Sequence, residues 1–318
     1  MGASINLDIF AEIRRTPKAV LCGITSQYGS MPLVAWLLCL ALDLNSMEAI
    51  TVCLLGMCPG GVTSTLFTYL GNGNVTLSLV MTTCSTFMAL FMMPFLLWVY
   101  VRAPVFRDTK KTDIAYTSII MTLMIATVPA IVGWRIRRTR PSTGEWLEKK
   151  ATVVGALFIV ALVVLTFSWP TKGTYNGTPK AFVSCFIMMP CGFLFGYGFA
   201  RLSGLDETTS RTVSMETGIQ QGGIAAAIIL NTYDEDDIGR AMSVLVSFAM
   251  ASLGYGALFA GLFRYVPVTD GSKPPTGDDG DGGLYDIPIG KATANEKKKQ
   301  KKTEFSEITP GGEGGFDI

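Results

Sequence analysis

Apolar residues in this chain gather into runs of about twenty, bounded by charged or turn-forming residues, a length that suits helices crossing a hydrocarbon core. Eight such spans are predicted, at 18–42, 48–70, 75–101, 114–134, 151–169, 180–202, 213–232 and 238–265. Two carry residues that unwind a helix: Cys58-Pro59-Gly60-Gly61 in the second, and Glu216-Thr217-Gly218, with Gly222-Gly223 just beyond, in the seventh. Backbone groups in lipid need internal partners, so an unwound segment is tolerated there only when it is buried in protein or lines a cavity. Paired interrupted spans point to the binding site of a transporter.

Composition agrees with an all-α, polytopic membrane protein. Apolar residues make up 49% and charged residues 16% of the chain, and the mean hydropathy is +0.39. The seven cysteines, Cys22, Cys39, Cys53, Cys58, Cys84, Cys185 and Cys191, all fall inside spans, where they are expected to pack as small apolar residues without a disulfide. Histidine is absent, which removes histidine metal sites and proton relays. A net charge of +1 gives no footing for a nucleic-acid partner, and no nucleophile–base pair or phosphate loop appears.

If the spans alternate, one side receives Arg14, Arg15, Lys18, the cluster from Arg135 to Lys150, Arg201, Arg211 and Arg264, and the other side fewer basic residues. The richer side is cytoplasmic, so both termini are expected inside, with Arg211 snorkelling to that interface. Asn176-Gly177-Thr178 then lies outside as a glycosylation acceptor, whereas Asn74-Val75-Thr76 lies inside. Residues 1–17 form a cytoplasmic segment. The three spans in 18–101 and the three in 180–265 share a layout of intact, broken and intact helix. An odd number of spans separates corresponding members, so they run in opposite directions as an inverted repeat. The second triplet is preceded by two spans in 114–169; symmetry predicts two more ahead of residue 18. Gly, Pro, Asp, Lys and Glu dominate 266–318, a predicted disordered cytoplasmic tail. Its run Lys297-Lys298-Lys299-Gln300-Lys301-Lys302 is read as a solvated charge cluster, with contact to anionic lipid as the alternative. The terminal Phe316-Asp317-Ile318 offers a short match to a PDZ-type partner.

Glu216 is the carboxylate placed deep within a span, where a charge costs about 2.5 to 3.5 kcal/mol. A sodium ion is the expected counter-charge, because hard cations take oxygen ligands and a break after Glu216 frees carbonyls beside it. Gln220 adds an amide oxygen four residues on. Thr63, Ser64 and Thr65 follow the first break, and Ser78 and Thr82 lie one turn apart on the next span, supplying hydroxyls. Taken alone, Ser78 or Thr82 reads first as a hydroxyl bonding its own helix backbone or a neighbouring helix, and only second as a ligand. Gly192, Gly196, Gly198, Gly254, Gly256 and Gly261 are expected to permit close helix packing, and the Met-Met-Pro triplets at 92–94 and 188–190 to pack and kink helices.

The segments Gln27-Tyr28-Gly29-Ser30-Met31-Pro32, Cys58-Pro59-Gly60-Gly61, Val80-Met81-Thr82-Thr83-Cys84-Ser85-Thr86 and Arg211-Thr212-Val213-Ser214-Met215-Glu216-Thr217-Gly218 together resemble the bile acid:sodium symporter family, near its animal hepatic and ileal members. The resemblance covers about residues 5–265. It implies a core of the two triplets facing a panel, here the spans in 114–169, with substrate moving in the crevice between them. It also implies one sodium site at Ser64, Thr65, Ser78, Thr82 and Glu216. A second would use Gln27, Glu216 and Gln220 with backbone oxygens of Thr217 and Ile219. Thr65 and Gln221, where the broken helices cross beside the substrate crevice, stand where family members carry Asn. The function implied is sodium-coupled symport of bile acids or related amphipathic anions by alternating access in the plasma membrane. No cofactor beyond Na⁺ is called for, and a homo-oligomer is compatible. Two rival readings stay open: a truncated, non-transporting protein that acts as an interaction partner, and a sodium-independent organic anion carrier.

Overall fold

The computed structural model describes residues 13–100, 116–140, 142, 143, 146, 150, 177–233, 235–268 and 270. The chain divides into one unit at Met1–Pro274 and a second at Pro275–Ile318, which lies outside the described residues. So do the predicted span at 151–169, Asn176 and the tail beyond residue 270.

The described residues are almost wholly helical. α1 (Pro17–Thr25) runs through a π-helical turn, Ser26–Ser30, into α2 (Met31–Leu42). α3 (Ser46–Met57) and α4 (Thr63–Leu70) are the halves of the first broken span. α5 (Val75–Tyr100) and α6 (Tyr116–Thr139) follow, then α7 (Pro179–Leu202). The second broken span is α8 (Glu207–Gly218) with α9 (Gly222–Thr232), and α10 (Glu235–Tyr265) comes last. Among the described residues, four segments are long and apolar enough to cross a membrane: Pro17–Leu42, Val75–Tyr100, Pro179–Leu202 and Asp237–Tyr265. Together with the two broken pairs they define a polytopic all-α membrane protein, and α6 takes the place of the span predicted at 114–134.

Local chemistry explains where the broken helices start and stop. The Asn45 side chain accepts from Glu48 N at 3.0 Å and opens α3, and Asp206 accepts from Thr209 N at 3.0 Å and opens α8. α3 ends because Cys58 precedes Pro59 and is pushed to an extended ψ of 152°. α8 ends two residues after Glu216, at Gly218, and Ile219 is already extended. The second break is therefore Ile219-Gln220-Gln221, not Glu216-Thr217-Gly218, and Glu216 sits on an intact turn. The helix also begins at Glu207, six residues before the predicted start at 213, because a capping Asp precedes a run of Thr and Ser that lacks the hydropathy of a span.

Burial inverts the usual pattern on α8. All twelve of its residues are buried, though most are polar, while α5 and α7 turn large apolar side chains such as Phe91, Phe95, Leu194 and Phe195 outward. A helix polar all round survives here because neighbouring helices enclose it and satisfy it. α7 approaches α8 across Gly192 and Gly196, where an added Cβ would lie 3.1 Å from Gly218 Cα and 3.0 Å from Ser214 Cα. Gly256 likewise receives the Phe67 ring, but Gly198, Gly254 and Gly261 face open space, so the packing role expected for those three does not hold.

Candidate functional site

The two breaks meet. Gly60 and Gln220 pair as an antiparallel bridge, with Gly61 N donating to Ile219 O at 2.7 Å and Gln221 N to Pro59 O at 2.9 Å. Unwound backbone of each segment thus satisfies the other, which is how two interrupted helices persist at membrane depth. Glycine is required at the crossing: a Cβ on Gly60 would stand 2.1 Å from Glu216 Oε1, and one on Gly61 2.9 Å from Gln220 O.

Glu216, only 2% exposed, projects from α8 into a ring of hydroxyls carried by other helices. Ser64 Oγ of α4 donates to Oε2 at 2.6 Å, and Ser78 Oγ of α5 lies 3.2 Å from the same oxygen. Thr82 Oγ1, a turn further along α5, is 2.6 Å from Oε1 and 2.9 Å from Ser78 O, so its single proton is shared between two acceptors. Thr65 Oγ1 stands behind Ser78 Oγ at 3.2 Å and does not touch the carboxylate. Five oxygen-bearing side chains expected at the first sodium site therefore lie in one buried cluster.

The second expected cluster also assembles. The π-helical turn puts Gln27 beside both breaks, where its Nε2 donates to Cys58 O at 2.7 Å and to Gln220 Oε1. Gln220 Nε2 in turn donates to Thr217 O at 3.0 Å, and Ile219 O is held by Gly61 N. The buried atoms Gln27 Oε1, Thr217 Oγ1 and Gln221 Oε1 have no hydrogen-bond partner among the described residues. Such atoms are costly in a protein interior, and all three border the crossing. The chemistry on offer is acceptance of a hard cation: one carboxylate, several hydroxyl and amide oxygens, and little positive charge nearby.

Sequence reasoning passed over several residues here. Tyr28, next to Gln27, donates through its hydroxyl to Ser85 O and ties the π turn to α5. Glu216 is not the sole buried carboxylate: Glu48 is fully buried and accepts from Thr178 N at 2.6 Å and Thr178 Oγ1 at 2.8 Å, and Glu207 is buried beside Arg211. Arg211, 1% exposed, does not snorkel; its Nε donates to Glu207 Oε1 at 2.9 Å. The spacing of Glu207 and Arg211, four apart on one helix, was the available signal.

A buried carboxylate among hydroxyls, at the contact of two interrupted helices in a multi-pass membrane protein, defines the class of broken-helix transporters. Residues 1–174 match the model of the sodium bile acid symporter family. The hepatic sodium/bile acid cotransporter of Rattus norvegicus is 33% identical over 249 residues, 78% of this chain and 68% of the relative. The human ileal sodium/bile acid cotransporter is 28% identical over 263 residues, 83% of this chain and 75% of the relative. The human sodium-dependent organic anion transporter is 28% identical over 265 residues, 83% and 69% of the two chains. The chain belongs to the sodium bile acid symporter family, whose members are transporters and not enzymes.

Proposed function

We infer that the chain is a sodium-coupled symporter of bile acids or related amphipathic organic anions, such as sulfated steroids, working by alternating access across the plasma membrane with both termini in the cytoplasm. The observation that carries this reading is the buried Glu216 carboxylate, held by hydroxyls of α4 and α5 at the crossing. A sodium ion there neutralises a charge that lipid would otherwise penalise. The hydroxyls of Ser64, Ser78 and Thr82 rotate, so the oxygens that now donate to the carboxylate turn lone pairs to an ion. Thr65 backs Ser78, and Gln27, Glu216 and Gln220, with the carbonyls of Thr217 and Ile219, hold a second ion. Both ions draw α4, α5 and α8 together, and the closed crossing, with Thr65 and Gln221 at its edge, faces the crevice for the anion.

Each sodium ion supplies about 1.4 kcal/mol per tenfold gradient, and each net charge moved inward gains about 2.3 kcal/mol per 100 mV. Two ions per monovalent anion therefore drive accumulation by both gradient and voltage. The test is uptake of a labelled bile acid into cells expressing the chain, with sodium or choline as the external cation. Uptake that needs sodium supports the reading. Equal uptake in choline makes the chain a sodium-independent carrier, and no uptake despite normal surface delivery makes it a non-transporting partner.

A further inference from the structure

Arg211 lies on α8 five residues before Glu216 and takes no part in the ion cluster. Its guanidinium spends its donors on three anchors: Nε on Glu207 Oε1 at 2.9 Å, Nη1 on Phe263 O at 2.6 Å, and Nη2 on Val266 O at 2.8 Å. The Phe263 ring lies against its face, 5.5 Å from Cζ to the ring centroid. Phe263 lies in the last turn of α10, where the last carbonyls of a helix have no partner of their own, and Val266 directly follows the helix. Glu207 is held in turn: Tyr197 OH of α7 donates to Oε2 at 2.8 Å, and Asp270 Oδ2 accepts from Glu207 N at 2.6 Å and from Arg201 Nη1 at 3.2 Å.

This anchorage adds to a close α7–α8 contact. Gly192 and Gly196 let α8 approach until an added Cβ would lie 3.1 Å from Gly218 Cα and 2.9 Å from Thr217 Cβ, and the Phe193 ring packs over Gly218, so shape fixes the lateral fit of the two helices. Polar bonds add to the axial register: the Arg211 fork at one end of α8, the backbone pairs of the crossing at the other, with Gly61 N to Ile219 O at 2.7 Å and Gln221 N to Pro59 O at 2.9 Å, and between them Ser214 Oγ to Phe193 O at 2.7 Å and Asn74 N to Thr212 Oγ1 at 2.7 Å. Of these the arginine has the most bonds. A shift of α8 moves Glu216 by the same amount relative to Ser64, Ser78 and Thr82, which sit on other helices.

We propose that Arg211 is a positioning residue: by capping the end of α10 it sets the axial register of α8, and so the seat of the Glu216 carboxylate among its hydroxyls. The consequence for ion affinity rests on the sodium reading above. Lysine keeps the charge but not the planar fork that reaches two carbonyls and a carboxylate at once.

Two measurements on Arg211→Lys test this. The first pairs Asn74→Cys with Thr212→Cys in the full chain and compares oxidative cross-linking yield, a readout of register without transport, with and without Arg211→Lys in that same background, where the Thr212 hydroxyl bond is already gone and the arginine fork carries more of the register; Arg211→Lys is expected to lower the yield severalfold. The second is the sodium concentration for half-maximal uptake, expected to rise about tenfold while the maximal rate per surface molecule changes little. Should the lysine variant fail to reach the surface, Arg211→Met with Glu207→Gln, which leaves no unpaired charge, takes its place with the same expectation. Unchanged cross-linking overturns the proposal, as does a fall in maximal rate at constant half-saturating sodium, the signature of a structural role alone. If wild-type uptake ignores sodium while cross-linking still falls, the sodium assignment fails and the positioning role stands.

Discussion

Replacing Gly60 by alanine probes the crossing with one methyl group. The added Cβ would lie 2.1 Å from Glu216 Oε1, 2.7 Å from Cδ and 3.1 Å from Cγ, so the whole carboxylate must retreat. Reaching ordinary contact requires a movement of roughly 1 Å or more. The Thr82 bond to Oε1, now 2.6 Å, does not survive such a retreat. A hydrogen bond to a charged group is worth about 1.5 to 3 kcal/mol, and forcing a methyl into packed surroundings costs about 1 to 3 kcal/mol. If only the lower sum of about 2.5 kcal/mol falls on ion binding, half-saturating sodium rises roughly sixtyfold. The assay is uptake against sodium concentration, normalised to surface protein. Gly198→Ala is the control, since a Cβ there meets nothing within 4 Å. A Gly60→Ala protein with half-saturating sodium within about threefold of wild type would refute the geometry, because a threefold change is well under 1 kcal/mol.

Glu216→Ala is expected to abolish sodium dependence of uptake without loss of surface protein, checked by uptake with surface labelling. Gln27→Ala removes the side chain that bridges Cys58 O and Gln220, and should raise half-saturating sodium by about tenfold, equivalent to one net hydrogen bond of about 1.4 kcal/mol. Glu48→Ala strands two donors of Thr178 and is expected to cost about 1 to 3 kcal/mol of stability, read as a lower thermal midpoint of the purified protein. Gly218→Ala drives a methyl to within 2.6 Å of the Phe193 ring and should lower that midpoint further than Gly198→Ala does.

The breaks and the hydroxyl cluster were legible because their chemistry is local. Cys58-Pro59-Gly60-Gly61 cannot continue a helix, and Ser78 and Thr82 lie one turn apart whatever surrounds them. The second break lies three residues beyond its expected place: Thr217 and Gly218 look like helix breakers, yet both stand in the last turn of α8, where Phe193 packs against Gly218, and unwinding falls on Ile219-Gln220-Gln221. Gln27 came only from family resemblance, since nothing in its own sequence announces the π turn that aims it. Arg211, Glu207 and Glu48 were missed for a different reason. Hydropathy assigns charged residues near span ends to the interface; the four-residue spacing of Glu207 and Arg211 signals their pairing, but Tyr197 on α7, Phe263 on α10 and, for Glu48, Thr178 just ahead of α7 are partners that only tertiary structure reveals.

The crossing also has an electrical layout that follows from the direction of its four helices. α3 and α8 end there and α4 and α9 begin there, so two negative and two positive helix poles, each about half an elementary charge, converge within a few residues. From afar these poles cancel, which spares the bilayer any net field. At close quarters they do not, and one small volume can welcome a cation against carbonyls and an anion against amides side by side.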